Sequence, residues 1–548
     1  MPTYDGRLEL TWTNKHLRLL AHEDGSYEWV KPSDYRVAEV RLLHDVTTVG
    51  EVGKKRAADN LLIRGDALNA LTSLAKLPEF ATEYLGKVKL VYIDPPFNTQ
   101  QSFLQYDDAL EHSVWLTMIR DRLLQIRDLL APDGTVWLHL DDAEMHRARS
   151  VLDEVFGTDY FVGTIIWQKA DTVRNDARRF SVSHDYLLVY GAPSWTANRL
   201  PRTGEMDQVY KNPDNDPRGP WLAGTLISPS YRASGDFVVE TPGGKVHPPP
   251  KDTSWRVPRE TFDQLLADNR IWFGKHGTAT PQRKLFLEEA KERVVDTIWD
   301  VKEVGGNRQS KAEIKKLFPE VEPFATPKPE RLLGRILHIA SEPGDIVLDC
   351  FLGSGTTAAV AQKMGRRWVG VEYSPETIET FALPRIRRVV DGDDPGGVSE
   401  TAGWSGGGGF RVLDVSPSMF EAEDGLVFLA DWMTNGKLSE ATAAQLGFEY
   451  EADAPFSGRK GRTRLAVVDG VVNESVVRLL VSALPERERV VICGTGIDTD
   501  ARPILRELRP GSTLRKIPAA LLDDYRSSRQ LRLSLGGAEV PELAEVKS

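Results

Sequence analysis

The chain has 548 residues, 41% of them hydrophobic and 27% charged, which is enough apolar material for a sizeable core and excludes a low-complexity or fibrous chain. Mean hydropathy is −0.34 and no run approaches the roughly 18 apolar residues of a membrane span, which excludes a helical membrane protein. Two cysteines, Cys350 and Cys493, exclude a disulfide scaffold or a Cys-only metal cluster. With an N-terminus, MPTYDGRLEL, that lacks a basic-then-apolar leader pattern, they predict a cytoplasmic protein with no membrane partner.

Residues 1–55 are polar and show no clear period. From Leu61, LLIRGDALNAL predicts a short apolar strand, a turn at Gly65-Asp66 and then a helix. VKLVYID is an apolar, β-branched run that ends in an acid, Asp94, as buried parallel strands do. Residues 111–130 have apolar positions at helical spacing, Pro132-Asp133-Gly134 stops that helix, and TVWLHLD predicts the next strand. This alternation predicts a doubly wound α/β sheet.

The alternation lapses between about 170 and 320, where Pro, Gly, Asn and Trp are frequent. Residues 161–320 carry a net +3, whereas the other segments are acidic and sum the whole chain to −11. Six of the thirteen tryptophans lie here: Trp167, Trp195, Trp221, Trp255, Trp272 and Trp299. Basic residues among aromatics suit phosphate contacts and base stacking, and they equally suit a Trp-rich core with a mixed surface. Alternation resumes with KPERLLGRILHIAS, DIVLDCF, GTTAAVAQKMG and RRWVGVEYS. Residues 391–409 then look like a linker, and the remainder looks like a small α/β appendage.

Two motifs carry chemistry. The first is Asp349-Cys-Phe351-Leu-Gly353-Ser354-Gly355-Thr356-Thr357-Ala358, between a buried strand and a helix. Its glycines admit positive φ and a close ligand, and the helix start offers N–H donors. Glu372 ends the next strand, where an acid can accept from both hydroxyls of a ribose. These residues describe a nucleoside-containing cofactor but leave its identity open. Gly353-x-Gly355-x-x-Ala358 also satisfies the dinucleotide pattern, and no Gly-Lys-Ser/Thr makes it a P-loop. The second motif is Asp94-Pro95-Pro96-Phe97. It combines a fixed acceptor, two rigid residues whose carbonyls have no local N–H competitor, and a flat stacking face. That set suits an exocyclic amino group on a planar base. The bland reading is a strand-ending turn with an Asp cap.

With both motifs present, the sequence resembles the β group of DNA amino-methyltransferases, which modify adenine N6 or cytosine N4 using S-adenosylmethionine. Within that group it resembles the modification subunits of type III restriction systems and related solitary enzymes. LLIRGDALNAL, VKLVYIDPPFNT, the HSVWLTMIRDRL stretch, TPKPERLL and AGWSGGGGF carry the likeness, over about residues 60–415 apart from the insert. The resemblance implies a Rossmann-like methyltransferase fold with an inserted target-recognition domain and a C-terminal α/β appendage. The expected boundaries are an N-terminal segment at 1–55, a catalytic half at 56–170, the DNA-binding insert at 171–320, a cofactor half at 321–392, a Gly-rich linker at 393–415 and the appendage at 416–548.

Carried over by position, Asp94, Pro95, Pro96 and Phe97 would be catalytic. Asp349, Phe351, Gly353, Ser354, Gly355, Thr356 and Thr357 would form the cofactor loop, with Glu372 on the ribose. Asp66 would face the cofactor's adenine amine, and Lys328 would lie near its methionine end. Phe97 stands where tyrosine is commoner, which keeps the stacking and loses a hydroxyl. Asp at position 94 favours adenine over cytosine N4. The implied partner is double-stranded DNA whose target base flips out; a homodimer and a restriction or helicase subunit are further partners that the resemblance allows. No metal is required. An NAD-dependent oxidoreductase has no use for the Asp94 motif. A protein-glutamine or RNA methyltransferase usually has Asn before Pro-Pro, and the intact Asp94 argues against an inactive DNA-binding subunit.

Outside these motifs, Asp141, Asp142, Glu144 and His146 are expected to be a strand end and helix cap in preference to a metal cluster. Cys350 is expected to pack, and His112 and His139 to be structural. Arg174, Arg178, Arg179, Arg256, Arg283, Lys284 and Arg308 are candidates for phosphate or guanine contact.

Overall fold

The computed structural model describes residues 8–527, except 22–26, 99–100, 103–106, 109–110, 174, 176, 424–425 and 435. The chain divides into two compact units, one of Met1–Thr196 with Asp296–Ser548 and one of Ala197–Val295. The second unit is narrower at both ends than the irregular stretch of the sequence.

Ten strands of the first unit form one sheet. In chain order they are β1 (Leu43–Gly50), β2 (Asn60–Arg64), β3 (Val88–Ile93), β4 (Leu130–Leu140), β5 (Phe161–Gln168), β6 (His184–Gly191), β7 (Ile298–Trp299), β8 (Ile346–Asp349), β9 (Arg367–Glu372) and β10 (Gly409–Val415). Their order across the sheet is β7-β5-β6-β4-β3-β8-β9-β2-β10-β1. From β4 to β10 every neighbouring pair is parallel. The central strands read as unbroken apolar runs because both faces are covered: Leu61, Leu62, Ile63, Leu90, Val91, Ile93, Val347 and Leu348 have no exposed surface. On the two sides β6 and β1 pair antiparallel with β4 and β10, and β5 pairs antiparallel with β6.

The helices that matter for the site are α1 (Ala67–Lys76), α2 (His112–Leu129), α3 (Met145–Phe156), α4 (Asn307–Leu317), α5 (Glu330–Ala340), α6 (Thr356–Lys363) and α7 (Leu383–Asp391). Helices α1, α2 and α3 pack as one group, and α5, α6 and α7 as another. The alternation and the parallel centre make this an α/β Rossmann-like sheet.

Two strands lie in segments that look polar or linker-like in the sequence. β10 comes from the end of the Gly-rich stretch and pairs with β2, and β1 comes from the polar N-terminal segment. Only Leu43 and Val49 of β1 are buried, so an edge strand of this kind leaves no apolar run to read. Beyond β10, five strands between Glu449 and Lys516 form a separate sheet whose last three are parallel. The segment that follows β10 is tied to the N-terminal part where Glu39 accepts from Ser418 Oγ and Met419 N at 2.8 and 2.7 Å.

The unit 197–295 holds a three-stranded antiparallel sheet of Trp221–Thr225, Gln282–Phe286 and Ile271–Trp272. A separate small core gathers Leu226, Val239, Trp255, Phe262, Ile271 and Phe273. Trp167, Trp221, Trp255 and Trp299 are buried in their own units, so tryptophan enrichment here builds cores. Lys284 is buried too, between Asp214 and Asp216 at 2.9 Å from the latter, which removes it from the candidate phosphate contacts.

Candidate active site

Four acids stand at the C-terminal edge of four adjacent parallel strands. Asp94 follows β3, Asp349 ends β8, Glu372 ends β9 and Asp66 lies just past β2. In an open α/β sheet ligands gather at this edge.

The Gly-rich loop joins β8 to α6. Gly353 has φ +53° and Gly355 φ +80°, left-handed backbone that glycine adopts without strain. A Cβ on Gly355 would meet Ala382 Cα at 3.1 Å, and one on Gly353 would meet the Phe324 ring at 3.4 Å. The loop's shape is held by the acids around it. Glu372 accepts from Gly353 N at 2.8 Å and from Ser374 N at 2.9 Å. Asp349 accepts from Phe351 N at 3.0 Å and from Thr357 Oγ1 at 2.6 Å. Burial raises the pKa of both carboxyls, that of Asp349 to about 7. Beneath α6 lies a buried quartet: Lys363 pairs with Glu330 at 2.8 Å and Asp394 at 2.7 Å, and Arg385 pairs with Glu330 at 3.0 Å. Arg385 also donates to Thr356 Oγ1 at 2.7 Å, next to Ser354 Oγ. Asp66 caps α1 by accepting from Leu68 N at 2.7 Å, and its other oxygen pairs with Arg122 at 2.9 Å. Cys350 is buried, and burial raises its thiol pKa far above the usual range, as a packing residue requires.

The Asp94–Phe97 turn is held from three sides. Trp115 of α2 donates its indole N–H to the Pro96 carbonyl at 2.6 Å. Asn98, at φ +61°, donates to the buried Glu144 at 2.8 Å. Lys328 puts its ammonium 2.5 Å from Asp94 Oδ2 and 5.1 Å from the Phe97 ring centroid. Asp94 Oδ1 is buried and has no hydrogen-bond partner among the described residues. An unpartnered carboxylate oxygen beside an aromatic ring is the kind of group a ligand donor satisfies.

His139 was not marked by any motif. It is fully buried behind the turn, with its ring 5.7 Å from Phe97. Its Nδ1 meets the Tyr92 hydroxyl at 2.8 Å, and burial lowers its pKa, which keeps it neutral. Only its place near the C-terminal end of β4, beside β3, could have suggested this. Asp141, Asp142 and Glu144 are committed elsewhere: Asp141 to Ala143 N, Asp142 to the Tyr186 hydroxyl, and Glu144 to Asn98, Arg147 and His112. Among the described residues no group of three or more His, Cys, Asp or Glu is placed to hold a metal ion, and no helix is long and apolar enough to cross a membrane. Of the other candidate phosphate contacts, Arg178, Arg179, Arg256 and Arg308 are exposed and Arg283 is half-buried. Arg174 lies outside the described residues.

Residues 88–383 match the family model described as DNA methylase. Among curated proteins, the StyLTI Mod subunit of a type III restriction-modification enzyme from Salmonella typhimurium is 31% identical over 391 residues, which are 62% of this chain and 58% of that one. The EcoP15I Mod subunit from Escherichia coli is 27% identical over 411 residues, 62% of each chain. The chain thus spans about three fifths of the length of these relatives. Among solved structures, the cytosine-N4-specific PvuII DNA methyltransferase is 16% identical, covering 61% of this chain and 90% of that one with a TM-score of 0.34.

Proposed function

The chain belongs to the DNA methylase family, and from that premise we propose that it transfers a methyl group from S-adenosylmethionine to the exocyclic N6 of a flipped-out adenine in duplex DNA. The observation that carries this reading is the buried, unpartnered Asp94 Oδ1 at the strand end beside the Gly-rich loop. The residues suit the cofactor. Gly353 and Gly355 take left-handed φ and let the loop pass close to Phe324 and Ala382, and Glu372 keeps lone pairs for a ribose diol after accepting two backbone N–H groups. Thr356, Thr357, Ser354, Phe351 and Asp349 would line the cofactor with these glycines, and Asp66 and Lys328 would lie toward its adenine and methionine ends. When bound, the cofactor supplies an electrophilic methyl on a sulfonium.

The chain's own groups do the rest. Asp94 Oδ1 and the Pro95 carbonyl accept the two amine N–H groups, which favours a tetrahedral nitrogen and concentrates its lone pair. Lys328 holds Asp94 Oδ2, so that Oδ1 is the oxygen presented to the base. Phe97 stacks on the flipped ring, with His139 backing it. Asp94 stabilises the positive charge that develops on nitrogen and is the acceptor in reach for the departing proton. Positioning of the two reactants supplies much of the rate.

The unit 197–295 would read the target sequence, and the modification-subunit names of the relatives favour a partner subunit that cleaves DNA. Transfer of labelled methyl groups to unmethylated bacterial DNA tests the proposal. Wild-type transfer lost in Asp94→Ala, with cofactor binding kept, supports it. Cofactor binding with transfer to protein but none to DNA overturns it.

A further inference from the structure

The loop between β5 and β6 leaves the sheet at the catalytic edge. β4 runs parallel to β3, β6 runs antiparallel to β4, and β5 antiparallel to β6. β5 therefore points the same way as β3, and its C-terminal end lies at the edge that carries Asp94. The base of the loop is anchored there. Lys169 and Ala170 both donate their N–H to Ser183 O, and Lys169 Nζ pairs with Asp185 at 2.6 Å. Asp185 lies 3.6 Å from His139, whose ring backs Phe97. The Trp167 indole, 5.3 Å from His139, donates to Gly305 O at 2.9 Å.

The tip is built differently. Phe180 is 91% exposed, the highest value for a large apolar side chain among the described residues. Val173 and Val182 are exposed beside it in sequence, as are Arg178 and Arg179. Residues 169–183 carry four basic residues against two acidic ones, in a chain of net charge −11. A 91% exposed phenylalanine preceded by two arginines, on a hydrogen-bonded base at the edge that carries Asp94, is a poor solvent surface and a good match for a stacked polyanion.

We propose that this loop opens the target duplex: Phe180 enters the base stack at the position the target base vacates, and Arg178 and Arg179 sit on the flanking phosphates. The inference rests on the DNA-methylating function proposed above and adds the surface that delivers the base. A base must leave its stack to reach Asp94, and an inserted apolar side chain offsets the lost stacking. An aromatic face stacks on any base, so the wedge needs no sequence preference of its own.

The test uses the full chain, labelled S-adenosylmethionine and unmethylated bacterial duplex DNA. Phe180→Ala should lower kcat/KM for DNA at least tenfold, with cofactor affinity within twofold of wild type. Phe180→Trp should restore most of the rate, which a loss of folding would not allow. The double variant Arg178→Gln/Arg179→Gln should flatten the salt dependence of DNA binding by about two counterions' worth of slope. A Phe180→Ala enzyme that methylates duplex DNA at the wild-type rate overturns the wedge. A wild-type enzyme that transfers no methyl to any DNA fails earlier and overturns the functional reading on which the wedge rests.

Discussion

Glu330→Gln is the substitution whose cost the structure defines best. Glu330 is 2% exposed and sits among Lys363, Arg385 and Asp394, which are no more exposed than 4%. Its two oxygens accept from Lys363 Nζ at 2.9 and 2.8 Å, from Arg385 Nη2 at 3.0 Å and from Val398 N at 3.0 Å. The quartet as it stands balances two cations against two carboxylates. Glutamine keeps the shape but removes one charge, turns one acceptor oxygen into a donor facing two cations, and leaves a net buried positive charge. Breaking a buried pair in this way costs about 3–5 kcal/mol. For the unit of Met1–Thr196 with Asp296–Ser548 that corresponds to a fall of roughly 3–5 °C in Tm. Because Arg385 also holds Thr356 of the cofactor loop, affinity for S-adenosylmethionine should fall about threefold or more. Thermal denaturation with and without cofactor measures both. The double variant Glu330→Gln/Lys363→Met removes one charge of each sign and should recover about half of the lost stability. A single variant whose Tm stays within about 1 °C of wild type would refute the reasoning.

Three further outcomes are expected. Gly355→Ala forces a left-handed φ on alanine and presses its Cβ on Ala382, so cofactor affinity should drop about tenfold in calorimetry while the sheet still folds. Asp349 binds its proton more tightly folded than unfolded, with the pKa pushed up to about 7, so its stabilisation is present in acid and is lost as pH rises from about 4 to about 7. Wild type should therefore lose up to about 4 kcal/mol relative to Asp349→Asn across that window, measured by urea unfolding at several pH values. Lys284→Met strips the buried cation from Asp214 and Asp216, so it should make the unit 197–295 the first region to yield to limited proteolysis. The same variant should leave the salt slope of DNA binding unchanged, because a residue buried this way touches no phosphate.

The parallel centre of the sheet is readable because each of its strands is apolar along its whole length, as in VKLVYI and DIVL. The two motifs are readable because they are contiguous and end such strands, so Asp94, Gly353, Gly355 and Glu372 meet at one edge as the pattern implies. What escapes the sequence is pairing across distance. Lys328 reaches Asp94 from 234 positions away, and nothing local to TPKPE marks that contact. Lys284 looks like a surface charge until Asp214 and Asp216 fold over it. His139 looks like any strand residue until β3 brings Tyr92 beside it and the Asp94–Phe97 turn brings Phe97. β1 and β10 are hidden for another reason: an edge strand with four exposed residues in a row, and a strand entered from a run of glycines, lack the apolar density that marks the others.

The most direct measurement is the identity of the methylated nucleoside. Wild-type protein and Asp94→Ala would be incubated with methyl-labelled S-adenosylmethionine and unmethylated bacterial DNA, and the DNA digested to nucleosides. The account predicts label in N6-methyladenine from wild type and its loss in the variant, with cofactor binding retained. Label in N4-methylcytosine would contradict the adenine assignment, and label that persists in Asp94→Ala would contradict the catalytic site itself.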